Sequence, residues 1–327
     1  MLSDFGYHEQ FMIDRQSAIL VTGTTGMIGG EVLRLLSRYG FQRVLAPARA
    51  ELELTDQDNV HRYFEEHRPD YVLMLAAKVG GIAANMRDPV GFTDHNLRIT
   101  LNVFSACHKF KTRKNLFLGS SCIYPMNQSE PIVEAQLLSG PLEPTNEGYA
   151  LSKIVGLKLA KYYHEQYGMV TVCPMLSNVY GTGDHFDLDR AHVLSALVRR
   201  FVDARDTGHL EVALWGSGIA RREFLHSEDA ARAILFFMDE VVSSDHINVG
   251  AGKDITILEL AGLIAREIGY QGEVRWDRSK PDGMLRKCLD TSRLQKLGFQ
   301  PNITLLQGIR RTIGEYETIK NSGELDL

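Results

Sequence analysis

Tyr149 and Lys153 stand four residues apart in the segment GYALSK, a spacing that sets both on one face of a helix about one turn apart. In that relation the phenol can act as a proton donor and the ammonium as its tuner, because a nearby positive charge stabilises phenolate and lowers the tyrosine pKa. Ser120 lies just past the apolar run LFLG at 116–119. A serine and a tyrosine donating to one carbonyl oxygen stabilise the alkoxide that forms as hydride reaches its carbon. Two residues further on is Cys122. On an extended chain its side chain points the same way as that of Ser120, ~6.6 Å along. A thiolate there can remove a proton from the carbon beside the polarised carbonyl, since the same donors stabilise an enolate. Taken alone, Cys122 reads as a packed thiol before it reads as a base.

These groups need a scaffold that brings them to one place. Gly23-Thr24-Thr25-Gly26-Met27-Ile28-Gly29 follows the apolar run AILVT and opens an amphipathic stretch from Met27 to Tyr39. Glycines at that junction let the backbone turn tightly and approach a pyrophosphate, whose charge meets a helix N-terminus, and Gly29 allows close packing of helix on strand. The pattern therefore predicts dinucleotide binding. About twenty residues on, where a second strand presents the group that reads the adenosine ribose, stand Pro47, Ala48, Arg49, Ala50 and Glu51. Arg49 suits a 2′-phosphate and Glu51 a 2′-hydroxyl or solvent; the arginine favours NADP(H) over NAD.

The rest of the chain supplies the layers. Apolar runs at 18–23, 44–46, 71–75, 116–119 and 170–175 alternate with helical stretches at 27–39, 56–66, 89–110 and 147–167, the last stopped by Gly168. Strands joined by helical crossovers close only as a parallel sheet covered on both faces. The fold class is thus α/β, a doubly wound (Rossmann) parallel sheet with a smaller, discontinuous C-terminal lobe. Residues 17–178 plus 223–251 form the nucleotide-binding domain, and 179–222 plus 252–321 the substrate lobe. Within the latter, 252–320 reads as short helices and turns. Residues 1–16 read as a polar extension.

The chain has 327 residues, enough for about two domains, with 44% hydrophobic and 24% charged residues, which is the composition of a globular protein. Its 36 Lys+Arg against 41 Asp+Glu give a net charge of -5, so no global basic field exists for nucleic acid or an anionic membrane. No run approaches the ~20 apolar residues of a membrane span. The N-terminus shows no secretory pattern. Four scattered cysteines without a C-x-x-C pair suit a reducing cytoplasm and neither a disulfide framework nor a metal site.

At these residues the chain resembles the extended short-chain dehydrogenase/reductases, and within them the GDP-L-fucose synthases, which are GDP-4-keto-6-deoxy-mannose epimerase–reductases. The blocks that carry the resemblance are LAAKVGGI (75–82), LGSSCIYP (118–125), LEPTNEGYALSK (142–153), WGSG (215–218), REFLH (222–226) and SKPDGMLRK (279–287). It implies a reduction triad at Ser120, Tyr149 and Lys153 and an epimerisation pair, base Cys122 and acid His192, that inverts C3 and then C5 beside the C4 ketone before NADPH reduces C4. On its own His192, in AHVLSALVRRF, reads as a helix-surface histidine. Cofactor contacts are implied at Gly23, Thr25, Gly26, Met27, Ile28, Gly29, Arg49, Ala76, Lys153 and Asn178, with Asn178 also near the sugar. The GDP moiety is implied at Arg200, Trp215, Arg222 and Lys280, with apolar contacts Val193 and Leu197; guanidinium forks grip phosphates and an indole offers a wall. Read singly, those basic residues fit surface charge.

The sequence departs from the family at Thr25, where a basic residue often meets the 2′-phosphate, at MLS before Asn178, and in the acidic content of GTGDHFDLDR at 181–190. Rival readings are a C4 epimerase, a reductase without epimerisation, an enzyme for a related GDP-deoxyheptose or colitose precursor, and a noncatalytic NADP-binding regulator. Retention of Tyr149 and Lys153 argues against the last. The resemblance also implies a homodimer through helices 89–110 and 147–167, although core packing explains Leu97, Leu101, Phe104, Leu151, Val155 and Leu159 equally well.

Overall fold

The computed structural model describes residues 11–126, 130–188, 191–280, 282 and 284–323. In chain order the first half runs β1 (Ile19–Val21), α1 (Met27–Arg38), β2 (Val44–Leu45), α2 (Gln57–His67), β3 (Tyr71–Met74), α3 (Ile82–Arg87), α4 (Pro89–Phe110), β4 (Lys114–Phe117), β5 (Gly119–Ser120) and α5 (Glu147–Tyr167). The second half continues with β6 (Thr171–Leu176), β7 (Asn178–Tyr180), α6 (Val193–Thr207), β8 (Glu211–Trp215), β9 (Arg221–His226), α7 (Ser227–Glu240), β10 (His246–Val249), β11 (Asp254–Thr256), α8 (Ile257–Ile268), β12 (Glu273–Asp277), β13 (Arg286–Lys287), α9 (Ser292–Lys296) and α10 (Leu305–Ser322).

A seven-stranded sheet carries the strand order β10-β6-β4-β3-β1-β2, with β5 on β6, and every pairing in it is parallel. Such a sheet is covered on both faces, so its strands read as unbroken apolar runs. ILV of β1 and TVCPML of β6 are buried at every position. Two separate hydrophobic cores flank the sheet, one around Leu35, Leu36 and Phe237, the other around Phe64, Phe104 and Phe117. The long helices begin and end where local chemistry dictates. Asp88 caps α4 by accepting from the Gly91 amide at 3.0 Å and Pro89 occupies its first turn, while Gly168 at φ +69 closes α5.

A smaller sheet, β11-β9-β13 with β7 on β9, and the β12-β8 pair build a second layer system. It has its own core of Leu194, Phe201, Phe224, Ile264 and Tyr316. Strand β9 belongs to this second sheet, so the chain returns to the first one at α7 and β10, from residue 227, and not at 223 as the sequence suggested. A strand–helix–strand pattern does not say which sheet its first strand joins.

Two further expectations need correction. The segment 252–320 is not made of short pieces only: α8 spans 12 residues and α10 spans 18. Both open on capping boxes, Thr256 with Glu259 and Thr304 with Gln307, a T-x-x-E/Q signal legible in the sequence. Nor is the described part of the N-terminal extension merely polar. Phe11 packs against Tyr39 and Phe41, and Ile13 is buried. Residues 1–10 lie outside the described residues.

Candidate active site

A cleft of about 580 Å³ runs along the carboxyl ends of the parallel strands. This is where β1, β3, β5 and β6 deliver their loops, and where an open α/β sheet takes its ligands. The glycine turn forms one wall. Gly23 adopts φ +72, and a Cβ on it would come within 2.8 Å of the Ala76 backbone; at Gly29 a Cβ would sit 2.1 Å from the Gly23 carbonyl oxygen. Those two glycines are demanded by the fold. Gly26 is different: a Cβ there would meet only the Gly23 carbonyl, at an ordinary 3.5 Å. Gly26 is also the N-cap of α1, which has no side-chain cap and no acidic residue in its first turn. The bare helix start and the open face at Gly26 fit a pyrophosphate. Thr25, Met27 and Ile28 complete the wall.

Arg49 lines the far end of the cleft, 76% exposed and 2.7 Å from Glu53. The alternative ribose reader, Glu51, turns back to accept from the Ala48 amide at 2.7 Å. An exposed guanidinium at that end fits a 2′-phosphate. The cleft floor is held by groups the sequence did not single out. Thr22 Oγ1 accepts from the Leu75 and Ala76 amides, both at 3.1 Å, and the buried Asn96 of α4 pins Lys78 through its amide (2.7 Å) and carbonyl (3.0 Å). A polar residue inside an apolar helix face gives no periodic signal, so the sequence pattern does not mark Asn96.

At the other end Ser120, Tyr149, Lys153, Asn178 and His192 all line the same cleft. Lys153 is buried, donates to the Leu118 carbonyl at 2.8 Å and lies 5.7 Å from the Tyr149 ring centre. Burial pulls its pKa down to about 8. The tyrosine shift is opposite to the sequence-based expectation: burial, and then the neighbouring Cys122 sulfur, raise the Tyr149 pKa. Desolvation of a phenolate outweighs the help of an ammonium that is itself desolvated and bonded elsewhere. A phenol kept neutral in this way can donate a hydrogen bond. A second cavity of about 300 Å³ adjoins Tyr149 on the side of Asn85, Met86 and Asn146.

Cys122 departs from its expected geometry. The chain does not stay extended after Ser120 but enters a 3-10 turn, Ser121–Ile123, with Ser120 as its N-cap. The Cys122 side chain is consequently buried behind the cleft lining. It still acts electrostatically on Tyr149, Lys153 and Lys287. All four cysteines carry buried free thiols, and burial pushes Cys107 and Cys288 up to about 12. Cys122 is set apart by its two lysine neighbours, each of which a thiolate would favour in the ammonium form.

His192 occupies the N-cap position of α6, its ring 2.9 Å from the Asp184 carboxylate. The hydrogen bond to Asp184 raises its pKa against the opposing effect of burial.

None of the positions implied for GDP lines this cleft; they lie in the second layer system. Lys280 Nζ sits 5.5 Å from the ring of Trp215, which is 69% exposed. Ser217 ties the WGSG turn to the 279–287 loop through two 2.7 Å bonds to Asp282; Pro281 and Gly283 of that loop lie outside the described residues. Arg222 on β9 stands in register beside Lys287 on β13, and both feel Glu143. Lys287 closes the block SKPDGMLRK, and nothing in its local spacing marks it as a site residue. Arg200 is half-buried and Val193 exposed. Leu197 is buried in the second core, and packs there instead of presenting an apolar contact.

Residues 19–250 match the model of the NAD dependent epimerase/dehydratase family. A probable GDP-L-fucose synthase 1 of Oryza sativa subsp. japonica is 45% identical over 310 residues, 94% of each chain. The GDP-L-fucose synthase of Escherichia coli (strain K12) is 44% identical over 90% of this chain and 94% of its own. Among solved structures, a GDP-L-fucose synthetase from Naegleria fowleri bound to NADP superposes with a TM-score of 0.86 at 28% identity, covering 98% of this chain and 99% of that one.

Proposed function

The chain belongs to the NAD dependent epimerase/dehydratase family, and on that premise we propose that it converts GDP-4-keto-6-deoxy-D-mannose to GDP-L-fucose by C3 and C5 epimerisation followed by NADPH-dependent reduction at C4. The observation that carries the reading is the convergence of Ser120, Tyr149, Lys153 and His192 on one cleft, with Cys122 beside Tyr149 and two lysines. The similarity to plant and bacterial GDP-L-fucose synthases supports the substrate.

Ser120 and Tyr149 hold the C4 oxygen as donors. Cys122, as thiolate, takes the proton from C3 or C5; the electron pair of that C–H bond moves toward C4 and its oxygen carries the enolate charge. His192 returns a proton to the opposite face. After both inversions Tyr149 gives its proton to the C4 oxygen, and Lys153 offsets the phenolate left behind. The glycine turn and Arg49 would hold NADPH, which would supply the hydride when bound. The second layer system takes the GDP, with Trp215 and Lys280 at one side and Arg222, Lys287 and Arg200 supplying positive charge. Residues 17–178 with 227–251 thus serve the cofactor, and 179–226 with 252–321 the nucleotide sugar.

Leu101, Leu151, Val155 and Tyr162 leave an exposed apolar strip on the paired helices α4 and α5, which suits a homodimer. No helix among the described residues is long and apolar enough to cross a membrane. Buried free thiols suit the cytoplasm.

The test is to mix protein, GDP-4-keto-6-deoxy-D-mannose and NADPH in deuterated water. Product with deuterium at C3 and C5 and stoichiometric NADPH oxidation is expected. Oxidation without deuterium reduces the enzyme to a ketoreductase, turnover only of a heptose or dideoxy analogue moves the substrate, and no oxidation of NADPH by any of them ends the reading.

A further inference from the structure

We propose that Asp184 is a positioning residue for His192, a buried carboxylate that turns the imidazole so that Nδ1 faces the protein and Nε2 faces the cleft. The inference rests on the reading of His192 as the acid of epimerisation. Asp184 lies in the 181–190 segment whose acidic residues the sequence alone left without a role; Asp189 and Arg190 of that segment lie outside the described residues.

The geometry is that of a clamp. Asp184 Oδ1 accepts from His192 Nδ1 at 2.9 Å and from the His185 amide at 2.8 Å, and Oδ2 accepts from Ser195 Oγ at 2.5 Å. Ser195 is fully buried in the first turn of α6 and His192 is the N-cap of the same helix. One carboxylate therefore bonds both the ring and the turn that carries it, and removes the freedom of the ring to flip. The loop is in turn referenced to the rest of the site. Gly183 donates to Glu315 of α10 at 2.8 Å, and a Cβ on Gly183 would meet Met27 of α1 at 3.3 Å.

Exposure divides the labour. The Asp184 side chain is 1% exposed and that of His192 is 58% exposed. An imidazole bonded through Nδ1 to a carboxylate keeps its proton there when neutral, which leaves Nε2 as the atom that gains and loses a proton. Two inversions per turnover require the acid to be recharged once between them, and Nε2 open to the cleft meets that need. Asp184 also favours the charged ring, and its hydrogen bond outweighs the cost of the ring's partial removal from water in the cleft. Ionisable groups bonded into this loop include Arg199 of α6, whose Nη1 donates to the Phe186 carbonyl at 3.0 Å, and Glu315, an acid raised by burial, with Asp184 and Glu31 of α1 acting on it in the same direction.

The experiment uses the full-length protein, wild type, Asp184→Asn and Ser195→Ala. Nitrogen-15 and proton NMR of the His192 ring should show titration above the ordinary histidine value of about 6.5 and a single neutral tautomer in the wild type. Asp184→Asn should lower that titration by about one unit or more and mix the tautomers. Ser195→Ala, which removes one bond to the carboxylate, should shift it in the same direction by less. The alkaline limb of solvent-deuterium incorporation into GDP-4-keto-6-deoxy-D-mannose should fall with the NMR value, while NADPH oxidation by the already epimerised ketone changes less than about twofold. Wild-type titration and tautomer retained in Asp184→Asn overturn the proposal, as does an unmoved His192 in Ser195→Ala should the first variant not fold. A shifted ring with no deuterium incorporation in any protein would instead sink the functional reading and leave the clamp standing.

Discussion

Alanine at Gly26 and alanine at Gly29 should have opposite consequences, although the two positions lie one helical turn apart. At Gly29 the new Cβ would sit 2.1 Å from the Gly23 carbonyl oxygen and 2.8 Å from the Thr24 Cα, both backbone atoms. Relief requires α1 to lift off β1 by about an ångström, and overpacking of that kind costs ~1–3 kcal/mol, more when backbone must move. Helix propensity returns at most ~1 kcal/mol, so the clash wins. At Gly26 the backbone is at φ -87, allowed for alanine, and the sole neighbour is at 3.5 Å. A smaller unfolded-state entropy gains ~0.4–1 kcal/mol and a poorer N-cap loses a few tenths to ~1 kcal/mol, leaving stability unchanged within ~1 kcal/mol. The Gly26 methyl, however, fills the space assigned to the pyrophosphate. NADPH affinity should fall by about tenfold to a hundredfold, ~1.4–2.7 kcal/mol. Thermal melts and fluorescence titration with NADPH separate the two effects. If Gly26→Ala binds NADPH like the wild type, the pyrophosphate does not lie against this turn; if Gly29→Ala melts at the wild-type temperature, the packing argument is wrong.

Cys122→Ser should abolish deuterium incorporation at C3 and C5 while reduction of an already epimerised ketone persists; loss of both together would mean the thiol is structural. Tyr149→Phe should slow NADPH oxidation by about 10²–10⁴-fold yet leave measurable exchange from the remaining Ser120 donor, and an unchanged oxidation rate would remove Tyr149 from the chemistry. Arg49→Ala should shrink the ratio of NADPH to NADH affinity, measured by competitive titration, and a ratio that stays put would locate the 2′-phosphate elsewhere. Glu223, buried in β9 and bonded to the Gly252 and Leu289 amides, is pushed up to about 7 by burial. The native state binds its proton where the unfolded state does not, so stability present below about pH 4.5 is lost as pH rises through 7, by roughly 3 kcal/mol. Urea unfolding at pH 5 and pH 8 should differ less in Glu223→Gln than in the wild type, and an equal difference would show that other groups carry the pH dependence.

What the sequence by itself determined was everything that repeats along the chain or depends on near neighbours. The parallel sheet followed from apolar runs alternating with amphipathic helices, and α4 and α5 were bounded correctly because Pro89 and Gly168 punctuate the backbone locally. The glycine turn, the Tyr149–Lys153 spacing and the capping boxes of α8 and α10 are likewise short-range patterns. Tertiary structure alone decided what depends on residues distant in sequence. It assigned β9 to the second sheet, buried Leu197 in the second core and tied the 181–190 loop to α10 through Glu315. It also reversed the expected shift of Tyr149, because a pKa is fixed by how much water the fold removes from a group, and no local spacing encodes that quantity. Cys122 shows the division most clearly: its position two residues past Ser120 is written in the chain, but the 3-10 turn that buries it and the approach of Lys287, 165 residues away, exist only once both sheets have packed.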